Sequence, residues 1–145
     1  MNHLVFLDAH AGELEKILSG VKYMVVKDID PEHLNAHTIK PGDSLYFLRN
    51  NDECDLQVKA TVVRVLFFTK KLNEDLSHYL KELQPKLQLT EEQYNYWSAK
   101  KQVQLVEFES AQKIGVIHLA LDEVKGHSDW IAFQAFSVLT PRMVQ

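Results

Sequence analysis

One cysteine, five glycines spread singly and no long apolar run narrow what this chain of 145 residues can be. The lone Cys54 excludes an internal disulfide framework and any cysteine-built zinc site, which points to a reducing compartment, the cytoplasm. Three acids, Asp52, Glu53 and Asp55, surround it and disfavour the thiolate that a nucleophilic cysteine would need. No apolar stretch approaches the roughly 20 residues that span a bilayer, so no membrane is expected as a partner. Met1-Asn2-His3-Leu4 lacks the basic start and apolar core of a signal peptide, and the mature chain is expected to begin at Met1. Scattered glycines also exclude a phosphate-cradling loop. An excess of cations is missing as well: 16 Lys/Arg stand against 20 Asp/Glu, a net charge of −4. Nonspecific coating of nucleic acid needs a surplus of cations to displace counterions, and neither half of the chain is a basic module. A local basic pocket is still compatible with that balance.

What is present is a core. With 46% hydrophobic residues at this length, residues 1–145 are expected to form a single domain. Residues 4–7 form a short apolar run, a first strand. In residues 13–18, Leu14, Ile17 and Leu18 fall at the spacing of one helical face, and Gly20 can take the left-handed conformation that closes such a helix. Residues 23–26 then read as a strand. Residues 28–42 hold Pro31, Pro41 and two histidines and read as a loop with a single helical turn, ending in the turn Pro41-Gly42-Asp43.

Residues 44–48 and 56–68 follow as β-rich runs joined by a polar hairpin loop at 49–53. The alternation of the second run changes phase at Val62-Val63, the mark of a bulge. Leu72, Leu76, Tyr79, Leu80 and Leu83 form the stripe of a core-facing helix over residues 72–84, which Pro85 is expected to end. Thr90 and Gln93 form a capping box that opens a second helix carrying Tyr94 and Trp97. Residues 103–109, 115–121 and 131–136 read as further strands. Strands outnumber helices and their connections are short, so the expected architecture is α+β: a mixed, mostly antiparallel sheet curling toward a barrel, with helices at its side.

The richest segment is Ile17-Leu18-Ser19-Gly20-Val21-Lys22, with Lys27 at the end of the next strand. The helix's last carbonyls favour a cation, so Lys22 can be held there for structural reasons alone. If a cleft forms at the junction, Lys27 and apolar walls would both depress the pKa of Lys22, and a lysine so lowered can act as base or nucleophile. A nucleotide pocket asks for less: cations for phosphate, from Lys22, Lys27 and Arg49; an aromatic face, from Tyr23, Tyr46 or Trp130; and a group for base edges, from Asp28 or Asn50. Trp97 fits core packing better, whereas Trp130 follows the polar loop at 125–129 and is the better candidate for a ligand. His33 and His37 have the spacing of two metal ligands on a helix, but the segment is loop-like and offers no third ligand, so no metal and no other cofactor is expected.

Taken with Lys40-Pro41-Gly42-Asp43 ahead of a strand, this order of elements resembles the ASCH family of the PUA-like superfamily over roughly residues 4–109. Residues 114–145 resemble it less. The resemblance implies a β-barrel with a basic cleft that binds RNA or a modified nucleoside. It also implies an alternative, since small bacterial members hydrolyse the acyl amide of acetylated cytidine. In those enzymes the lysine matching Lys22 is catalytic, aided by a strand threonine, where this chain has Val25, and by a glutamate of the helical insertion. Glu82 is the nearest acid to that last position, and Pro85 occupies it in an ungapped comparison. The arginine that closes the family's strand is matched by Lys27. The expected site is therefore Gly20, Lys22, Tyr23, Lys27, Asp28, Arg49 and Trp130 for ligand, with Lys22 and Glu82 for catalysis. A protein-interaction module is the third reading, in which the acidic balance and the carboxy-terminal third would serve a partner or a homodimer.

Overall fold

The structure is a computed structural model, and it describes residues 1–8, 11–29, 39–49, 55–118 and 130–133; for Arg49 and residues 55–57, 116–118 and 131–133 it describes the backbone alone. The elements run β1 (Asn2–Leu7), α1 (Glu13–Leu18), β2 (Met24–Asp28), β3 (Ser44–Arg49), β4 (Asp55–Thr69), α2 (Ser77–Leu87), α3 (Glu91–Ser98), β5 (Gln102–His118) and β6 (Trp130–Phe133). The strands form one sheet in the order β2-β5-β4-β3-β1-β6, in which β1 and β3 are parallel and every other pair is antiparallel. This is the mixed, mostly antiparallel α+β arrangement expected. Among the described residues no pairing joins the edge strands β2 and β6, so the sheet is open.

Both faces of the sheet's centre are covered. On one side Val5, Leu7, Leu14, Ile17, Val25, Phe47, Val62, Val106 and Phe108 pack together, with the rings of Phe47 and Phe108 5.1 Å apart. On the other, Met24 and Leu105 pack against Leu80, Leu87 and Leu89 of the helical layer. Adjacent residues of a strand point to opposite faces, so the all-apolar pairs Met24-Val25 and Leu105-Val106 serve both layers. The phase change in β4 is a bulge: Val62 pairs with Phe108 and Arg64 with Glu107, leaving Val63 as the extra residue. Two further register shifts let the long β4–β5 ribbon coil.

Three features differ from expectation. The helix over 72–84 begins only at Ser77, because Asn73 is left-handed (φ 64°) and Asp75 accepts from the backbone N–H of Ser77. Leu72 is left 91% exposed. Pro85 does not end that helix, which runs on to Leu87. A proline in the last turn removes one backbone donor, and the close is made by Gln88 in the left-handed region (φ 52°). The strands read at 103–109 and from Gly115 are one, β5, which passes through a left-handed Ser110 (φ 59°) at a register shift and resumes its pairing to β4 at Gln112. Residues 30–38 with His33 and His37, residues 50–54 with Asn50 and Cys54, residues 119–129 and residues 134–145 lie outside the described residues.

Candidate functional site

Gly20 does at the end of α1 what its type allows: at φ 85° it turns the chain, and the N–H groups of Gly20, Val21 and Lys22 bond back to carbonyls of Ile17 and Lys16. The turn sends the Lys22 side chain inward, to 1% exposure. Its ammonium donates to the carbonyl of Leu87, the last residue of α2, and lies 3.5 Å from the Glu13 carboxylate. Lys16 donates to the next carbonyl, that of Gln88, at 3.0 Å. Lys22 is thus held by a helix-end carbonyl, but one of α2 rather than of α1. Burial pulls the Lys22 pKa below its ordinary 10.5; Glu13 opposes the shift and Lys16 adds to it.

A cavity of about 600 Å³ lies between β1, β2, α3 and Trp130. Its floor is Val5, Phe6, Leu7, Val25 and Val26; Leu89, Tyr96 and Trp97 form the helical wall; Trp130 stands opposite. The polar groups are Asp8, Glu13, Lys27, Asp28, Glu92 and Gln93. β2 and β6 are the two edges of the sheet, so curvature brings the edges to face one another across this space. The Lys27 ammonium sits 6.0 Å from the Trp130 ring centroid and donates to the Asp28 carbonyl at 3.2 Å. Asp28 accepts from Lys100 at 3.0 Å, a bond that holds the lysine above its ordinary range.

The structure therefore brings Lys27, Asp28 and Trp130 together on the cavity, with Lys22 one layer behind Glu13. It does not bring Gly20, Tyr23 or Glu82 to that wall. Gly20 is an exposed turn, and Tyr23 lies on the outer face, where Lys86 sits 5.9 Å from its ring centroid beside Glu107 and Arg64. Glu82 is an exposed residue of α2, 3.5 Å from His78. The Arg49 side chain is outside the described residues; its backbone pairs with Leu7.

The expected basic character is not found in this lining. One lysine faces four carboxylates, two of which are balanced from behind by Lys22 and Lys100. Sequence reading missed Glu13, Glu92, Gln93 and Tyr96. The available signal was the spacing of Glu92 and Tyr96 at i, i+4 on one helical face, beside a tryptophan.

Comparison with solved structures shows that this fold is ASCH-like. The ASCH protein of Zymomonas mobilis superimposes with a TM-score of 0.64 at 12% identity, over 92% of this chain and 87% of that one. A tyrosine-to-phenylalanine variant of that protein gives 0.65 at 12% identity over 92% and 90%, and a serine-to-alanine variant 0.61 at 13% over 81% and 73%. At that identity the likeness concerns the fold. No family model matches the sequence, and no curated protein matches it.

Proposed function

We propose that this ASCH-like domain binds a modified nucleoside, or a single base presented by RNA, in the cavity between the two edges of its sheet. The observation that carries the reading is the wall of Tyr96, Trp97 and Trp130 around a space of about 600 Å³, within the range of small-molecule sites, with carboxylates and the Gln93 amide placed among the rings. Rings supply stacking faces, and acceptors and amides read base edges. Because carboxylates outnumber the lining lysine, the base is the part enclosed and a phosphate is left outside. Across the open side of the sheet, the Lys27 ammonium on β2 lies over the Trp130 ring on β6 and bounds the cavity there. The single cysteine supports a cytoplasmic setting.

Calorimetric titration with a panel of nucleosides and their 5′-phosphates tests this. Nucleosides should bind more tightly than their 5′-phosphates, and Trp130→Ala should weaken binding by about 5- to 150-fold, the worth of one stacked base. No binding by any nucleoside, or full affinity in Trp130→Ala, overturns the reading.

Hydrolysis of an acylated nucleoside is the second reading, favoured by one observation: a buried lysine of lowered pKa paired with an acid, Glu13, that lines the cavity. In it water gives one proton to Glu13 as its oxygen bonds the acyl carbon, the carbon–nitrogen bond breaks, the exocyclic amine takes that proton, and the freed acid gives its remaining proton to solvent and leaves as carboxylate. Acetate release from acetylated cytidine, abolished in Glu13→Gln, decides for it. Binding without turnover decides against it.

A further inference from the structure

The indole of Trp130 is held by a residue that the sequence reading passed over. His3, on β1 between β3 and β6, is fully buried. Its Nε2 lies 2.9 Å from Asp43 Oδ2, and its Nδ1 lies 3.1 Å from the indole Nε1 of Trp130, with the two ring centroids 5.9 Å apart. Asp43 is itself fixed by the backbone N–H of Lys40 at 3.0 Å and the Met1 amino group at 3.3 Å.

An indole nitrogen only donates, so Nδ1 must be the acceptor and carry no proton. The one proton of a neutral imidazole then sits on Nε2 and is given to Asp43. The chain of bonds from Asp43 through His3 to Trp130 thus admits a single protonation state. We propose that His3 is the positioning residue of the cavity's Trp130 wall, and that it holds the indole in place only while Nδ1 is unprotonated.

The imidazolium form has two donors and no acceptor. Two N–H groups would then face each other across 3.1 Å, and the indole would turn away. The charged groups facing His3 among the described residues are Asp43 at the head of β3, the Met1 amino group at the head of β1, and Lys27 of β2; Asp43 favours the cation and the other two oppose it. Burial outweighs Asp43 and lowers the His3 pKa below its ordinary 6.5, so the holding form is present at neutral pH.

This role rests on the cavity reading only where a ligand is measured. The first test needs none: nitrogen-15 NMR of the full chain, following the imidazole nitrogens of His3 and the indole N–H of Trp130, the latter assigned with Trp130→Phe. Near pH 7 His3 should show a bare Nδ1 and a protonated Nε2. On acidification the two residues should shift together, with one midpoint below 6.5. His3→Asn keeps an acceptor toward the indole and cannot titrate, so its Trp130 signal should stay constant across that range. His3→Leu should show the displaced indole at every pH.

With ligand present, the affinity for whichever nucleoside the panel selects should fall at least about fivefold across the same midpoint, and not in His3→Asn. A proton on Nδ1 at neutral pH, or an indole signal that ignores the His3 titration, overturns the proposal. If the spectra behave as stated and no nucleoside binds, the positioning role stands and the nucleoside reading falls.

Discussion

Lys22 carries a charge into a place water does not reach, and two contacts make that tolerable. Desolvating an ammonium costs several kcal/mol, and the return comes from the Glu13 carboxylate and the Leu87 carbonyl. Glu13 is tied in its turn, accepting from the backbone N–H of Asp8 at 2.7 Å. Removing only the lysine leaves a buried carboxylate and a helix-end carbonyl without their partner, so Lys22→Met should destabilise the domain by about 3 kcal/mol, the cost of breaking a buried pair. Adding Glu13→Gln should recover part of the loss, because the pair is coupled and the two single effects do not add. Urea unfolding of the four proteins measures the coupling. A Lys22→Met variant as stable as the parent would show that the residue owes its place to chemistry rather than to the fold.

α3 is the element on which the cavity's helical wall depends, and its start is fixed by a reciprocal pair. Gln93 N donates to Thr90 Oγ1 at 3.2 Å, and Thr90 N donates to the Gln93 side chain at 3.0 Å. Thr90→Ala should cost about 1 kcal/mol in chemical denaturation, and Thr90→Ser should cost much less. Equal losses in both variants would mean that the methyl group, not the cap, is what matters.

Features of this kind could be read directly from the sequence because they are local: the capping box, the left-handed Gly20, the bulge at Val63 and the face of α1 each depend on residues within a few positions. Where α2 starts could not be read from its apolar stripe, since the left-handed Asn73 and the Asp75 side chain override a pattern that extends back to Leu72. The cavity was legible only in part. Lys27, Asp28 and Trp130 are chemically conspicuous, whereas Glu13 looks like any solvated acid in the first turn of a helix until α2 is folded over Lys22.

At the scale of the whole molecule, the pairing of β1 with β3, 42 positions away in register, and with β6 beyond it brings Met1, His3, Asp43 and Trp130 to one end of the sheet. That end should govern how stability responds to acid. The folded His3 has its pKa below 6.5, so the unfolded chain binds this proton more tightly, and stability falls as pH drops from about 6.5 toward the folded value. Two carboxylates add a lower step. Burial pushes Asp43 and Glu107 up, but bonds from His3, Lys40 and the amino terminus to the first, and from Lys86 and Arg64 to the second, outweigh it and hold both below their ordinary 3.8 and 4.5. Their contribution is complete above those values and is lost as pH falls through the folded ones. Thermal unfolding followed from pH 7.5 to 3 should therefore show a decline that begins near 6.5 and steepens below about 4.5. His3→Asn should flatten the first part and leave the second. A decline that survives His3→Asn unchanged would assign the upper step to other histidines and leave His3 neutral throughout the range.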